Sequence, residues 1–241
     1  MTARFEELDW RPTPLGEISL RRRRDPTLKV DVYEAKLGDE FLMSSLFTAS
    51  ETALAEIALA GVVGADLDVV VGGLGLGYTV HAVLNDPRVA SLHVVETLSE
   101  VIGWHERDLL PLSRALTSDP RCHLVNGDFF SMVASGSSFG PGPAGRHDAI
   151  LVDIDHTPRN VLHPSHAGFY GPSGQRRLAD RLKAGGVYAL WSDDPPDEDY
   201  LSVLEAVFAS SEAQVVSFPN PLTGGEASST VYIARSSPIG T

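Results

Sequence analysis

Apolar residues fall in short runs along the chain, and their spacing changes near residue 49. Before that point they alternate with polar positions. Residues 17–24, 29–37 and 40–47 read as short strands, with Gly38-Asp39 supplying hairpin turn chemistry between the last two. An antiparallel element of that size is too small to hold a core alone. Residues 50–60 follow with alanine-rich helix propensity, Ser50 as candidate N-cap, and Gly61 and Gly64 as stops. From Leu67 onward, continuous apolar runs alternate with helical stretches. The predicted strands are 67–71, 91–96, 122–126, 149–153 and 187–191, and the predicted helices include 98–107, 175–182 and 200–209. Such runs imply a parallel sheet covered on both faces. The last two runs, 214–218 and 229–235, are joined by a turn at 221–225 without a helix, which predicts an antiparallel hairpin at the sheet edge. Residues 135–145, rich in Ser, Gly and Pro, read as a surface loop.

The run Asp68-Val69-Val70-Val71 breaks into Gly72-Gly73-Leu74-Gly75-Leu76-Gly77-Tyr78, and the next run ends in Glu96. Glycine permits positive φ and has no Cβ to block close approach, so Gly73, Gly75 and Gly77 predict bare backbone against a ligand. A carboxylate ending the following strand sits where a ribose diol can donate two hydrogen bonds to it. Dinucleotide folds want Gly-x-Gly-x-x-Gly, with the pyrophosphate on a helix N-terminus. This loop brings its last glycine one residue early, which suits S-adenosylmethionine or its decarboxylated form, neither of which carries a phosphate.

Ligands of an open parallel sheet bind beyond the carboxyl ends of its strands, and here each end carries a polar residue. Asp128 is placed to accept the adenine amino group, or to cap the helix before Phe129, and Phe129 or Phe130 to lie against the ring. Asp153 is the candidate for the chemical role, with His156 as an alternative base. Asp155, Asp193 and Asp194 are candidate substrate groups, the last two in an acidic mouth that continues through Asp197, Glu198 and Asp199. His163 and His166 share the segment after the fourth parallel strand with His156, and that segment reads as a lid. Their spacing matches no standard metal-ligand motif, so no metal is expected.

A net charge of −13 argues against a nucleic-acid partner, which requires clustered Lys and Arg. The one basic run, Arg21 to Arg24, lies in a predicted strand and reads as a solvated face. Cys122 is the single cysteine, so no intrachain disulfide is possible. The N-terminus is too charged for a signal peptide, and no apolar stretch reaches membrane-spanning length. A soluble, cytoplasmic protein is expected, acting on a small-molecule acceptor, without nucleic acid or membrane as partner, and assembled as a homodimer.

The glycine loop, Val94-Val95-Glu96, Gly127-Asp128, His147 to Asp153 and Leu182 to Val187 together resemble the spermidine/spermine synthase (polyamine aminopropyltransferase) family. The resemblance covers residues 15–235 and implies a class I methyltransferase-like (Rossmann-like) α/β fold. That means a mostly parallel seven-stranded sheet with an antiparallel C-terminal hairpin over 49–241, and a small antiparallel β element over 1–48. It implies that Glu96 holds the ribose, Asp128 the adenine and Asp153 the attacking amine. Three positions depart from the family pattern. Leu76 stands where the loop carries an aspartate for the aminopropyl ammonium, His156 replaces the second aspartate of Asp-x-x-Asp, and Leu54-Ala55 replaces a Tyr-His pair. An unpaired buried ammonium is costly, so the leading expectation is methyl transfer from intact S-adenosylmethionine to a small molecule. Aminopropyl transfer from decarboxylated S-adenosylmethionine is the second, and a non-catalytic nucleoside-binding protein the third.

Overall fold

The structure, a computed structural model, describes residues 5–141 and 145–238. Four strands, β1 (Phe5–Thr13), β2 (Gly16–Arg24), β3 (Asp31–Leu37) and β4 (Glu40–Ser44), form an antiparallel sheet in chain order. Gly38 makes the β3–β4 turn at φ +58°, as the Gly-Asp pair predicts. The basic run lies in β2, where Arg22 pairs with Glu6, Arg23 with Glu34 and Asp25, and Arg24 with Asp31. It is a cross-strand ion-pair ladder inside the sheet.

Helix α1 (Ala49–Ala60) leads into the main sheet. That sheet contains β5 (Leu67–Gly72), β6 (Val89–Glu96), β7 (Cys122–Asn126), β8 (His147–Val152), β9 (Leu182–Ser192), β10 (Ser210–Asn220) and β11 (Gly225–Arg235). Their order is β10-β11-β9-β8-β5-β6-β7, with β5 to β9 parallel and β11 antiparallel to both β9 and β10. The chain order reverses at β5, between β8 and β6, so a crevice opens at the carboxyl ends of these central strands.

The continuous apolar runs resolve into two faces because side chains alternate across a strand. Val69, Val71, Leu92, Val94 and Leu151 pack under α1, α2 (Tyr78–Leu84) and α3 (Ser99–Glu106), through Leu54, Ala58, Val80, Val83 and Trp104. Val70, Val95, Ile150 and Val152 pack under α5 (Phe129–Ser135), α6 (Pro172–Ala179) and α7 (Glu198–Glu205), through Phe129, Leu178 and Leu204. A short α4 (Ser113–Thr117) precedes β7. Ile18, Leu20 and Ala35 of the small sheet belong to the first of these cores. The small sheet is also pinned to α3 by Asp9, which accepts from Trp104 Nε1 at 2.9 Å and from the Arg107 guanidinium at 2.5 Å.

Several boundaries differ from the sequence reading. Strand β1 was not expected: Pro12 and four charged residues hide its alternation. Helix α1 starts at Ala49 after Thr48, and Ser50 donates to the Glu51 carboxylate instead of capping. Leu182, expected at a helix end, begins β9, and α7 ends at Glu205 instead of 209. Of the expected loop 135–145, residues 142–144 lie outside the described residues, and Phe139 is fully buried with its ring stacked on Phe129.

Candidate active site

The glycine loop follows β5 and turns at once into α2. Gly73, Gly75 and Gly77 hold φ of +97°, +49° and +90°. A side chain at Gly73 would put its Cβ 2.1 Å from the carbonyl oxygen of Asp153, and one at Gly75 would meet Met43 Sδ at 2.8 Å. The loop therefore lies flat between β8's end and the small sheet, and only glycine fits. His105, buried on α3, holds it from behind through an Nε2 contact of 2.9 Å with the Gly75 carbonyl oxygen. Burial keeps the His105 imidazole pKa low, so the ring is neutral and Nε2–H donates.

Two cavities meet beside this loop. One, of about 400 Å³, is lined by Gly73, Glu96, Thr97, Asp128, His163 and His166. The other, of about 380 Å³, is lined by Glu51, Leu76, Asp153, His156, Trp191 and Asp193. Both share Leu42, Met43, Gly75, Asp153, Ile154 and Leu162 as a common wall. Of the residues read as nucleoside-binding, Gly73, Glu96 and Asp128 line the first chamber and Gly77 the second; of those read as acceptor-binding, His156 and Asp193 line the second, and Gly75 and Asp153 line both.

In the first chamber, Glu96 is partly engaged by its own chain. Its Oε2 accepts from Leu74 N–H at 3.1 Å and its Oε1 from Leu98 N–H at 2.9 Å. Burial raises the Glu96 pKa, and four backbone N–H groups, Leu98's first, pull against that. Asp128 caps α5, accepting from Ser131 N–H at 3.1 Å and from the Ser131 hydroxyl at 2.7 Å, and it also lines the chamber. Phe129 does not line it. Its ring lies in the core on the far side of Gly72, stacked on Phe139 and edge-on to Phe130 and Phe169, so it cannot contact a base.

In the second chamber, Asp153 sits at the common wall. Its backbone N–H donates to Gly72 at 2.9 Å and its Oδ2 accepts from the Thr79 hydroxyl at 2.7 Å. Burial raises its pKa, and the Thr79 hydrogen bond opposes that rise. Glu51, on α1, was not identified from sequence. Its carboxyl is pushed up to about 7, by burial first and then by the negative charges of Asp153 and Asp193. The helical spacing held the signal: Glu51 is in phase with Leu54, Ala55, Ala58 and Leu59, the buried stripe of α1. His156 faces the chamber with Nε2 3.0 Å from Glu40. The indole Nε1 of Trp191 is buried and has no partner among the described residues.

Two expected substrate groups lie elsewhere. Asp155 is buried and lines neither chamber: it accepts from Leu162 N–H, the Tyr170 hydroxyl and His166 Nδ1, because the chain between needs an internal acceptor. Asp194 faces a separate surface pocket with Arg159 and Asp197. The acidic mouth is partly neutralised there, since Arg159 bonds both Asp197 and Asp199, and Asp197 caps α7. The three histidines are divided, His156 to the second chamber and His163 and His166 to the first.

No family model matches the chain. Among solved structures it is similar to a spermidine synthase in complex with the transition state analogue AdoDATO, with a TM-score of 0.73 and 16% identity over 95% of this chain and 73% of that one. It is similar also to spermidine synthase from Thermotoga maritima (TM-score 0.70, 18% identity, 95% and 72% covered). A probable spermidine synthase from Corynebacterium glutamicum ATCC 13032 aligns with a TM-score of 0.62 and 17% identity, covering 95% and 79%. At these identities the likeness is one of architecture: the chain has the spermidine synthase fold, a class I methyltransferase-like sheet carrying a small N-terminal antiparallel sheet.

Proposed function

We propose that the chain is a transferase that moves an aminopropyl group from decarboxylated S-adenosylmethionine to a small amine. The observation that carries this reading is the donor set of the acceptor chamber. Glu51, Asp153 and Asp193 line it, and no Lys or Arg lines either chamber among the described residues. Such a cage stabilises ammonium groups and repels the α-carboxylate that intact S-adenosylmethionine would bring to the common wall. Phe41, Phe47, Phe218 and Trp191 add aromatic surface that favours cations further. The nucleoside chamber suits the cofactor because Gly73 and Gly75 leave room no side chain would, and the Glu96 carboxylate lines it.

When bound, the sulfonium supplies an activated carbon. The protein's work is then alignment and proton removal. Asp153 is held by Thr79 at the junction of the chambers, where the acceptor nitrogen must lose its proton. Burial raises the Asp153 carboxyl above its ordinary range and pushes that of Glu51 up to about 7, which makes each a stronger base than a solvated carboxylate.

Leu76 and Gly75 favour a second reading, methyl transfer from intact S-adenosylmethionine, since the loop offers no carboxylate to an aminopropyl ammonium. Calorimetric titration with both cofactor forms separates the two. The proposal expects the decarboxylated form to bind at least about tenfold more tightly, with methylthioadenosine released on addition of a diamine. Tighter binding of the intact form and release of S-adenosylhomocysteine would establish methyl transfer instead.

A further inference from the structure

His166 is held more firmly than a surface histidine of a short 3-10 helix (Pro164–Phe169) requires. One face of its ring lies on Phe130, with centroids 4.0 Å apart and planes at 29°. Its Nδ1 is 2.9 Å from Asp155 Oδ1, and the Asp155 carboxylate is 0% exposed. Asp155 is itself fixed by the Tyr170 hydroxyl at 2.8 Å and Leu162 N–H at 2.7 Å. A buried carboxylate accepts and does not donate, so it sets the histidine tautomer: Nδ1 carries the proton. Nε2 is then the acceptor edge, and the hydrogen bond seen for the ring among the described residues is the one at Nδ1.

The ring lines the nucleoside chamber, on the side where Asp128 opens α5 and Phe130 follows it. Glu96 lies on the neighbouring strand end, between this corner and Asp153. A nucleoside whose ribose is held by Glu96, with its 5′ substituent toward Asp153, directs its base to the corner formed by Asp128 and His166. Resting on the nucleoside reading proposed above, we infer that His166 is the residue that reads the base, its Nε2 accepting a hydrogen bond from the exocyclic amino group of a 6-aminopurine. Asp155 acts through it as a positioning residue. A 6-oxopurine would turn a carbonyl lone pair toward the same Nε2 lone pair, so the fixed tautomer rejects it.

The test is the ratio of affinities for 5′-methylthioadenosine and 5′-methylthioinosine, measured by calorimetry on the full chain. The wild-type protein is expected to prefer the amino compound by about tenfold or more. His166→Phe keeps the ring on Phe130 and removes the acceptor, so the ratio should fall to within about threefold of one. A purely structural clamp would weaken both ligands equally and leave the ratio unchanged, and that result overturns the assignment. Failure of the wild-type protein to bind methylthioadenosine at all would instead overturn the nucleoside reading, and this assignment with it. If His166→Phe does not fold, the long-range ¹H–¹⁵N spectrum of the wild-type protein decides. The inference requires a protonated Nδ1 and an Nε2 resonance that moves on adding methylthioadenosine and not on adding methylthioinosine. An Nε2–H tautomer, or an unmoved resonance, overturns it.

Discussion

Glu51 is the residue on which the functional reading turns, and it carries a stability signature of its own. Its folded-state pKa of about 7 lies above the ordinary 4.5. A raised carboxyl pKa contributes stability at low pH, and that contribution is lost as pH rises from about 4.5 through 7. Glu51→Gln mimics the protonated form, so it should match wild type at pH 4 and exceed it at pH 8 by on the order of 2–3 kcal/mol. Urea denaturation across pH 4–8 measures this, and equal stability at both ends would mean the site is not strained by charge. The same variant should bind a diamine acceptor less well. At Asp153 the expected effect is on rate: Asp153→Asn should lower turnover by roughly 10²–10⁴ with nucleoside affinity little changed. Full turnover in that variant would reduce Asp153 to a loop anchor. The carboxylates at strand ends were legible because a polar residue after an apolar run is conspicuous. Glu51 was not, because a glutamate in an alanine-rich helix looks like any solvated one until its phase against Leu54 and Ala58 is counted. Phe129 misled for the opposite reason: an aromatic after a capping aspartate is as well placed for the core as for the cleft, and here it fills the space over Gly72.

Among the elements, β5, β6, β8, β9 and β11 were legible because their burial forces apolar runs, and β7 and β10, with no fully buried residue, because each still keeps a pair of adjacent apolar residues, Leu124-Val125 and Val215-Val216. Strand β1 was not, since it has no two adjacent apolar residues and its partner's arginines drive its composition toward acid. Helix ends were the least legible, as at α1, where tertiary packing and not a side-chain cap sets the start. The glycine loop and α3 offer a paired test of what each glycine does. Gly73→Ala would place its Cβ 2.1 Å from the Asp153 carbonyl oxygen at a φ of +97°, so it should cost more than about 2 kcal/mol and abolish turnover. Gly103, inside α3, has no atom within 4 Å of an added Cβ, so Gly103→Ala should stabilise by about 0.5–1 kcal/mol without touching activity. Thermal denaturation of the two variants distinguishes a backbone constraint from mere composition. Similar behaviour of both would contradict the loop geometry.

For the molecule as a whole, a net charge of −13 makes the long-range field attractive to a cationic acceptor and repulsive to an anionic one. If the acceptor is a diamine, its KM should rise several-fold between low salt and 0.5 M salt, where the Debye length shrinks well below 10 Å. A KM insensitive to salt, or one that falls, would point to a neutral or anionic acceptor. The common wall formed by Met43, Gly75, Asp153 and Leu162 has a kinetic meaning as well. Asp153 is the one polar side chain on that partition among the described residues, and if it takes the acceptor's proton as proposed, it is not free to hold the transferred group, so the proposed transfer runs directly from donor to acceptor. Donor and acceptor must be aboard together. Initial-rate plots at varied concentrations of both should therefore intersect instead of running parallel, and the migrating carbon should invert its configuration in a single displacement.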